Sequence, residues 1–182
     1  MVNKKMSTSK RKRFLLSLDG GGVRGGITCS FLNELEKNLF APRRETIQTV
    51  FHAMGGSSAG AVTSTLLAMG TPISKISSEL FSAQEMQCTF KKTWLSRVPL
   101  LGSLFQQYQN QSKYDQIQRF LGNAHVDMTN LNTKLLINCF NWTRQSVSLF
   151  HNFHPIGLPQ VHLAGLVHAS SCPPYYLSLI HI

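Results

Sequence analysis

The stretch His52-Ala53-Met54-Gly55-Gly56-Ser57-Ser58-Ala59-Gly60 packs three glycines, two serines and two alanines into nine residues. Before it, Thr49 to Met54 reads as a strand. After it, Val62, Thr65, Leu66 and Met69 recur at i, i+3, i+4 and i+7, the spacing of a helix. Gly56-Ser57-Ser58-Ala59-Gly60 is thus a G-x-S-x-G pattern between a strand and a helix, the setting of a nucleophile elbow. Such a turn is tight and its serine strained, so the flanking positions carry almost no side chain. A small-residue turn in which Ser57 or Ser58 is a plain N-cap fits the same residues equally well.

A second unit of the same design lies upstream. Phe14 to Asp19 is an apolar run suited to a buried parallel strand, and Ile27, Phe31, Leu32, Leu35 and Leu39 predict a helix that Pro42 stops. Between them runs Asp19-Gly20-Gly21-Gly22-Val23-Arg24-Gly25-Gly26. Unshielded backbone N–H groups at a helix start form an anion site, and a tetrahedral oxyanion is one such anion. In acyl transfer, donors of this kind contribute about 3 to 4 kcal/mol. Gly20, Gly22 and Gly25 also satisfy the dinucleotide pattern G-x-G-x-x-G, but that site wants an acid at a strand end about 20 residues on. Glu34 and Glu36 fall inside the expected helix and Glu45 beyond it. A phosphate-binding P-loop is excluded because no G-K-[ST] follows.

Further along, Pro72 to Leu121 is mostly helical in pattern, broken near Pro99 and Gly102, with a helix expected over Lys113 to Leu121 and Asp115 at its start. Lys134 to Trp142 and Ser146 to Asn152 read as strands, and Leu158 to Ala169 as a helix. Strands alternating with helices predict an α/β layered fold with a mostly parallel sheet.

Composition bounds the function classes. The 182 residues suit one domain with a substantial core. The net charge of +10 is concentrated: Lys4, Lys5, Lys10, Arg11, Lys12 and Arg13 lie in the first 13 residues, expected to be a disordered basic tail. Such a tail suits peripheral contact with an anionic membrane, as does the apolar segment Trp94 to Phe105; no nucleic acid partner is expected. With no signal peptide and no apolar run of about 20 residues, a cytoplasmic or peripheral-membrane protein is expected. Cys29, Cys88, Cys139 and Cys172 form no CxxC pair or His-Cys cluster, so the expectation is free thiols and no metal.

Leu18-Asp19-Gly20-Gly21-Gly22-Val23-Arg24-Gly25 followed by Gly56-Ser57-Ser58-Ala59-Gly60 resembles the patatin-like phospholipases. Ala169-Ser170-Ser171-Cys172-Pro173-Pro174-Tyr175-Tyr176 is similar to the family's A-S-x-x-P-x-Y-F segment, and Lys113-Tyr114-Asp115 to its short K-Y-D stretch. The resemblance spans about residues 14 to 176. It implies a three-layer α/β/α sandwich and a lipid acyl hydrolase with a Ser–Asp dyad, acting on phospholipid or another acyl lipid without a metal or organic cofactor. Carried across, Ser58 is the nucleophile, Gly21 and Gly22 supply the oxyanion donors, and Arg24 braces their loop.

The dyad aspartate of the family pattern follows the A-S-x-x-P block, yet no acidic residue follows Asp127 here. A serine hydroxyl is a weak nucleophile unless a neighbouring base accepts its proton. Asp19, Asp115 and Asp127 each have another reading, as strand end, helix start and polar loop. His154 and His168 lie late enough for a Ser-then-His order, but each reads as a surface or capping residue. The last six residues, Leu177-Ser178-Leu179-Ile180-His181-Ile182, depart from the family pattern and equal the translation of CTG TCT CTT ATA CAC ATC, a transposase-adapter end. The expectation is therefore a patatin-like domain over residues 14–176, an artefact over 177–182, and a dyad aspartate missing from this chain.

Overall fold

In the computed structural model, residues 12–82, 110–122, 128–131, 133–153 and 162–172 are described. The basic tail through residue 11, the Trp94 to Phe105 segment, Cys88, Asp127, His154 and residues 173–182 lie outside them.

Four strands form one sheet in the order β1 (Phe14–Leu18), β2 (Phe51–Gly56), β3 (Lys134–Asn141), β4 (Ser146–His151). The first three run parallel and β4 returns antiparallel, giving the mostly parallel α/β sheet that the alternation of elements predicts. The β3–β4 return is tight enough to put Gln145 at φ 49°.

Between β1 and β2 the chain forms helix α1 (Gly25–Leu35), a wide turn over Glu36–Phe40 and the single turn α2 (Ile47–Val50). β2 therefore starts two residues later than the Thr49 expected. Thr46 and Thr49 explain the shift: they form a reciprocal capping box, with the Thr46 N–H donating to Thr49 Oγ1 at 2.8 Å, which favours a helical turn over a strand start.

After the elbow comes α3 (Ala59–Ala68), every residue of which is buried. This is a central helix with no water-facing side, and its small residues let it lie close against β1, β2 and β3. The hydroxyls of Thr63 and Ser64 bond back to the Ala59 and Ala61 carbonyls at 3.0 and 3.2 Å, so they are tolerated there. Helix α4 (Ile73–Lys75, continuing as Ile76–Leu80) packs on α1.

Helix α5 (Asn110–Leu121) starts three residues before Lys113, so Asp115 sits inside it, bonded to Gln111 Nε2 at 2.7 Å, and does not open it. Helix α6 (Leu163–Ser170) packs on β3 and α5.

Leu16, Leu18, Met54, Leu135, Ile137 and Cys139 point from the sheet into the core that α3 and α6 complete. The opposite face carries Leu15, Phe140, Val147 and Leu149, all exposed. Among the described residues no helix covers that face. Among the cysteines, Cys29 and Cys139 are buried and free, and desolvation pushes the Cys139 thiol up to about 12.

Candidate active site

β1 and β2 end side by side, Leu18 paired with Gly56, so both glycine loops leave the sheet at the same edge. Sequence order thereby becomes proximity.

The turn after β2 has little room. A Cβ on Gly60 would run into the Leu18 carbonyl oxygen, and one on Gly56 would sit 2.6 Å from that same oxygen. Closed in this way, the turn holds Ser58 at φ 53°, ψ −120°, a region an L-residue occupies at a cost of about 1 to 3 kcal/mol. Ser58 stands at the N-cap position of α3, but its side chain makes no cap bond. The hydroxyl is not consumed by capping.

The upstream loop lies against this turn. A Cβ on Gly20 would come within 3.0 Å of Ser58 Cβ and 3.1 Å of the Ser57 carbonyl oxygen; a bare residue there lets the two loops touch. Gly21 and Gly22 follow at the start of the short helical turn Gly22–Arg24, which leads straight into α1. Among the described residues no bond uses the Gly21 or Gly22 N–H, as befits the first donors of a helix. Arg24 closes the loop through its backbone, its N–H donating to the Gly21 carbonyl at 3.1 Å, and its exposed side chain runs beside Gly21. Val23 is exposed, and Gly25 is buried against Phe81 and Ala59.

A third segment reaches the same point. The Ser58 N–H donates to Ser170 Oγ at 3.2 Å, and that hydroxyl donates to the Asn138 carbonyl at 2.7 Å. In the sequence, Ser170 stands out only as part of the A-S-x-x-P block, and nothing singles out Asn138. The available signal was a polar pair closing an otherwise apolar helix, Leu163 to Ala169.

No described carboxylate or imidazole bonds to the Ser58 hydroxyl. Asp19 is exposed at the end of β1, and Asp115 lies on α5. His52 is at the far end of β2, its Nδ1 accepting the Phe14 N–H at 3.4 Å.

His168 is not the surface or capping residue expected: it is 2% exposed, edge-on to Tyr114 and 3.6 Å from Cys172 Sγ through Nε2. Desolvation, helped by the Lys113 charge, lowers its pKa to about 4. Lys113, also buried, donates to the Ser171 carbonyl at the end of α6, and desolvation lowers its pKa to about 8. Among the described residues no cluster of three or more His, Cys, Asp or Glu is placed to hold a metal, and no helix is long and apolar enough to cross a membrane.

A groove of about 920 Å³ runs over the bare sheet face past Leu15, Gly55 and Leu136 to Asp19 and Ser57; Ser58 does not line it.

No curated protein matches the chain. Among solved structures, VipD from Legionella pneumophila aligns at a TM-score of 0.51 and 15% identity, over 92% of this chain and 44% of VipD. The type III effector protein ExoU aligns at 0.50 and 15%, over 87% of this chain and 40% of ExoU. At such identities the likeness is one of fold, and the chain spans less than half the length of either protein. The family model of the patatin-like phospholipases matches residues 16–182, nearly the whole sequence and both glycine loops, and the chain therefore belongs to the patatin-like phospholipase family.

Proposed function

We propose that this chain carries the nucleophile and the oxyanion site of a lipid acyl hydrolase. The observation that carries this reading is Ser58 at φ 53°, ψ −120°, its hydroxyl free of capping, with the Gly20 backbone packed on its Cβ. Ser58 Oγ attacks the carbonyl carbon of an acyl ester while a base takes its proton. The oxygen that becomes negative meets the free N–H groups of Gly21 and Gly22, held rigid by the Arg24 backbone turn. Collapse expels the alcohol, which recovers the proton, and water then releases the fatty acid from acyl-Ser58. The substrate is a phospholipid or another acyl lipid, approached from a membrane surface.

The base is the aspartate of the family dyad, and we assign it to sequence outside this chain: none follows Asp127, and no described acid reaches Ser58. The same observation favours a second reading, a family member that binds lipid or a partner without turnover.

The full open reading frame, assayed on phospholipid vesicles and with a fluorophosphonate probe, separates the two. Hydrolysis and labelling that vanish in Ser58→Ala support the enzyme, whereas vesicle binding with neither establishes the second. The 182-residue chain alone is expected to hydrolyse no faster than its own Ser58→Ala variant. Robust Ser58-dependent turnover by it would show that the base is already present.

A further inference from the structure

The ladder between β2 and its neighbours reveals a task for Ser170. In a parallel sheet, alternate residues of a strand bond to opposite neighbours, each N–H reaching the carbonyl of the residue before its partner. Leu18 pairs with Gly56, so Ser57 stands opposite Asp19, and its N–H does reach the Leu18 carbonyl, at 3.3 Å. The next N–H, that of Ser58, belongs to the β3 side. Gly56 pairs with Ile137 there, which places Ser58 opposite Cys139 and directs its N–H towards the Asn138 carbonyl. The elbow has by then turned the chain away, and the rung is not made directly. Ser170 Oγ stands in the gap, accepting from Ser58 at 3.2 Å and donating to Asn138 at 2.7 Å.

We infer that Ser170 is a positioning residue for Ser58, its hydroxyl acting as the inserted last rung between β2 and β3. Two consequences follow. The strained backbone of Ser58 is fixed from three sides: the Leu18 carbonyl through Ser57, the first turn of α3 through the Ser58 carbonyl, which accepts from Val62 at 3.2 Å, and β3 through Ser170. Strain of this kind persists only where the surroundings over-determine it. The rung also occupies the Ser58 N–H, which is therefore not a donor for an oxyanion. Ser170 in turn needs a fixed base. It closes α6, and buried Lys113 donates to the carbonyl of the next residue, Ser171, while the Ser171 hydroxyl bonds back to the carbonyls of Val167 and His168 at 2.9 and 3.0 Å.

This inference rests on Ser58 being the nucleophile, and its test has an arm that does not. Ser170→Ala removes the rung and Ser170→Thr keeps a hydroxyl. In the 182-residue chain, amide exchange of Ser58 is expected to quicken at least tenfold in Ser170→Ala, with the amides of α3 unchanged and protection regained in Ser170→Thr. In the full reading frame, the rate of fluorophosphonate labelling and kcat on phospholipid should fall ten- to a hundredfold in Ser170→Ala with KM unchanged, and return to within about threefold in Ser170→Thr. Unchanged Ser58 exchange overturns the inference, as does wild-type labelling in a folded Ser170→Ala. A wild type that is not labelled overturns the catalytic reading instead, and the exchange result then decides the rung alone.

Discussion

Two glycine-rich turns, one after each of the first two strands, meet at Ser58, and at Gly60 and Gly21 they use glycine for opposite reasons. In the downstream turn the missing side chains are filled by backbone: Gly56 and Gly60 both press on the Leu18 carbonyl. In the upstream loop a Cβ on Gly21 would meet nothing nearer than Arg24 Cβ at 3.5 Å, an ordinary contact. There, the absent side chain leaves N–H groups uncovered. One turn holds a strained residue still; the other, on the function proposed above, leaves space for an anion.

Substitution at the tight turn is the harshest way to break this contrast. Gly60→Ala sets a methyl group into the Leu18 carbonyl at the end of β1, from the first turn of a fully buried helix. The cost is expected at or above the upper end of the roughly 1 to 3 kcal/mol typical of overpacking. Denaturant melts would record it as a loss of stability with an unchanged slope, and a loss under 1 kcal/mol would mean the turn is looser than drawn.

The support beneath the tight turn is next. His168 and Lys113 are buried with lowered proton affinity, about 4 against an ordinary 6.5 and about 8 against 10.5. In each case the unfolded chain binds a proton that the folded chain refuses, so stability falls as pH falls through the window. For His168 the window runs from pH 6.5 down to 4, and for Lys113 from 10.5 down to 8. Each is worth at most about 3 kcal/mol. Above about pH 9 the Lys113 step is opposed by the buried Cys139 thiol, whose raised pKa costs stability as pH rises, so the step that melts across pH should resolve is the acid one, and His168→Phe should erase it. An acid step that survives in that variant would place its origin in another group.

Why these supports escaped the sequence is a matter of contact order. The two glycine loops are local: each is spelled by consecutive residues, and the strand and helix patterns around them place the turns. The same locality made β1, α3 and the β3–β4 pair legible. Thr49 misled because a capping box with Thr46 outweighed its strand propensity, and Asp115 because α5 begins three residues before Lys113. Ser170, Asn138 and Lys113 act across separations of 112, 32 and 58 residues, to Ser58, Ser170 and Ser171, and no period or spacing encodes such pairings. His168 read as a surface residue because its burial depends on α5 packing over α6, which a single helix pattern does not contain.

The smallest effect on stability belongs to the open loop, and there stability and activity should part. Gly21→Ala adds a methyl in ordinary contact with Arg24. Its cost in a melt is expected below about 0.5 kcal/mol, the range of surface changes. The methyl nevertheless sits beside the two N–H groups assigned to the oxyanion, where a misplaced or lost donor costs roughly 100-fold or more in kcat. A folded Gly21→Ala protein whose full reading frame loses phospholipid hydrolysis by that order, while its fluorophosphonate labelling falls in parallel, would confirm that the open loop is shaped for an anion. Full activity in the same variant would reduce the loop to a connection between β1 and α1, and would leave the tight turn without its counterpart.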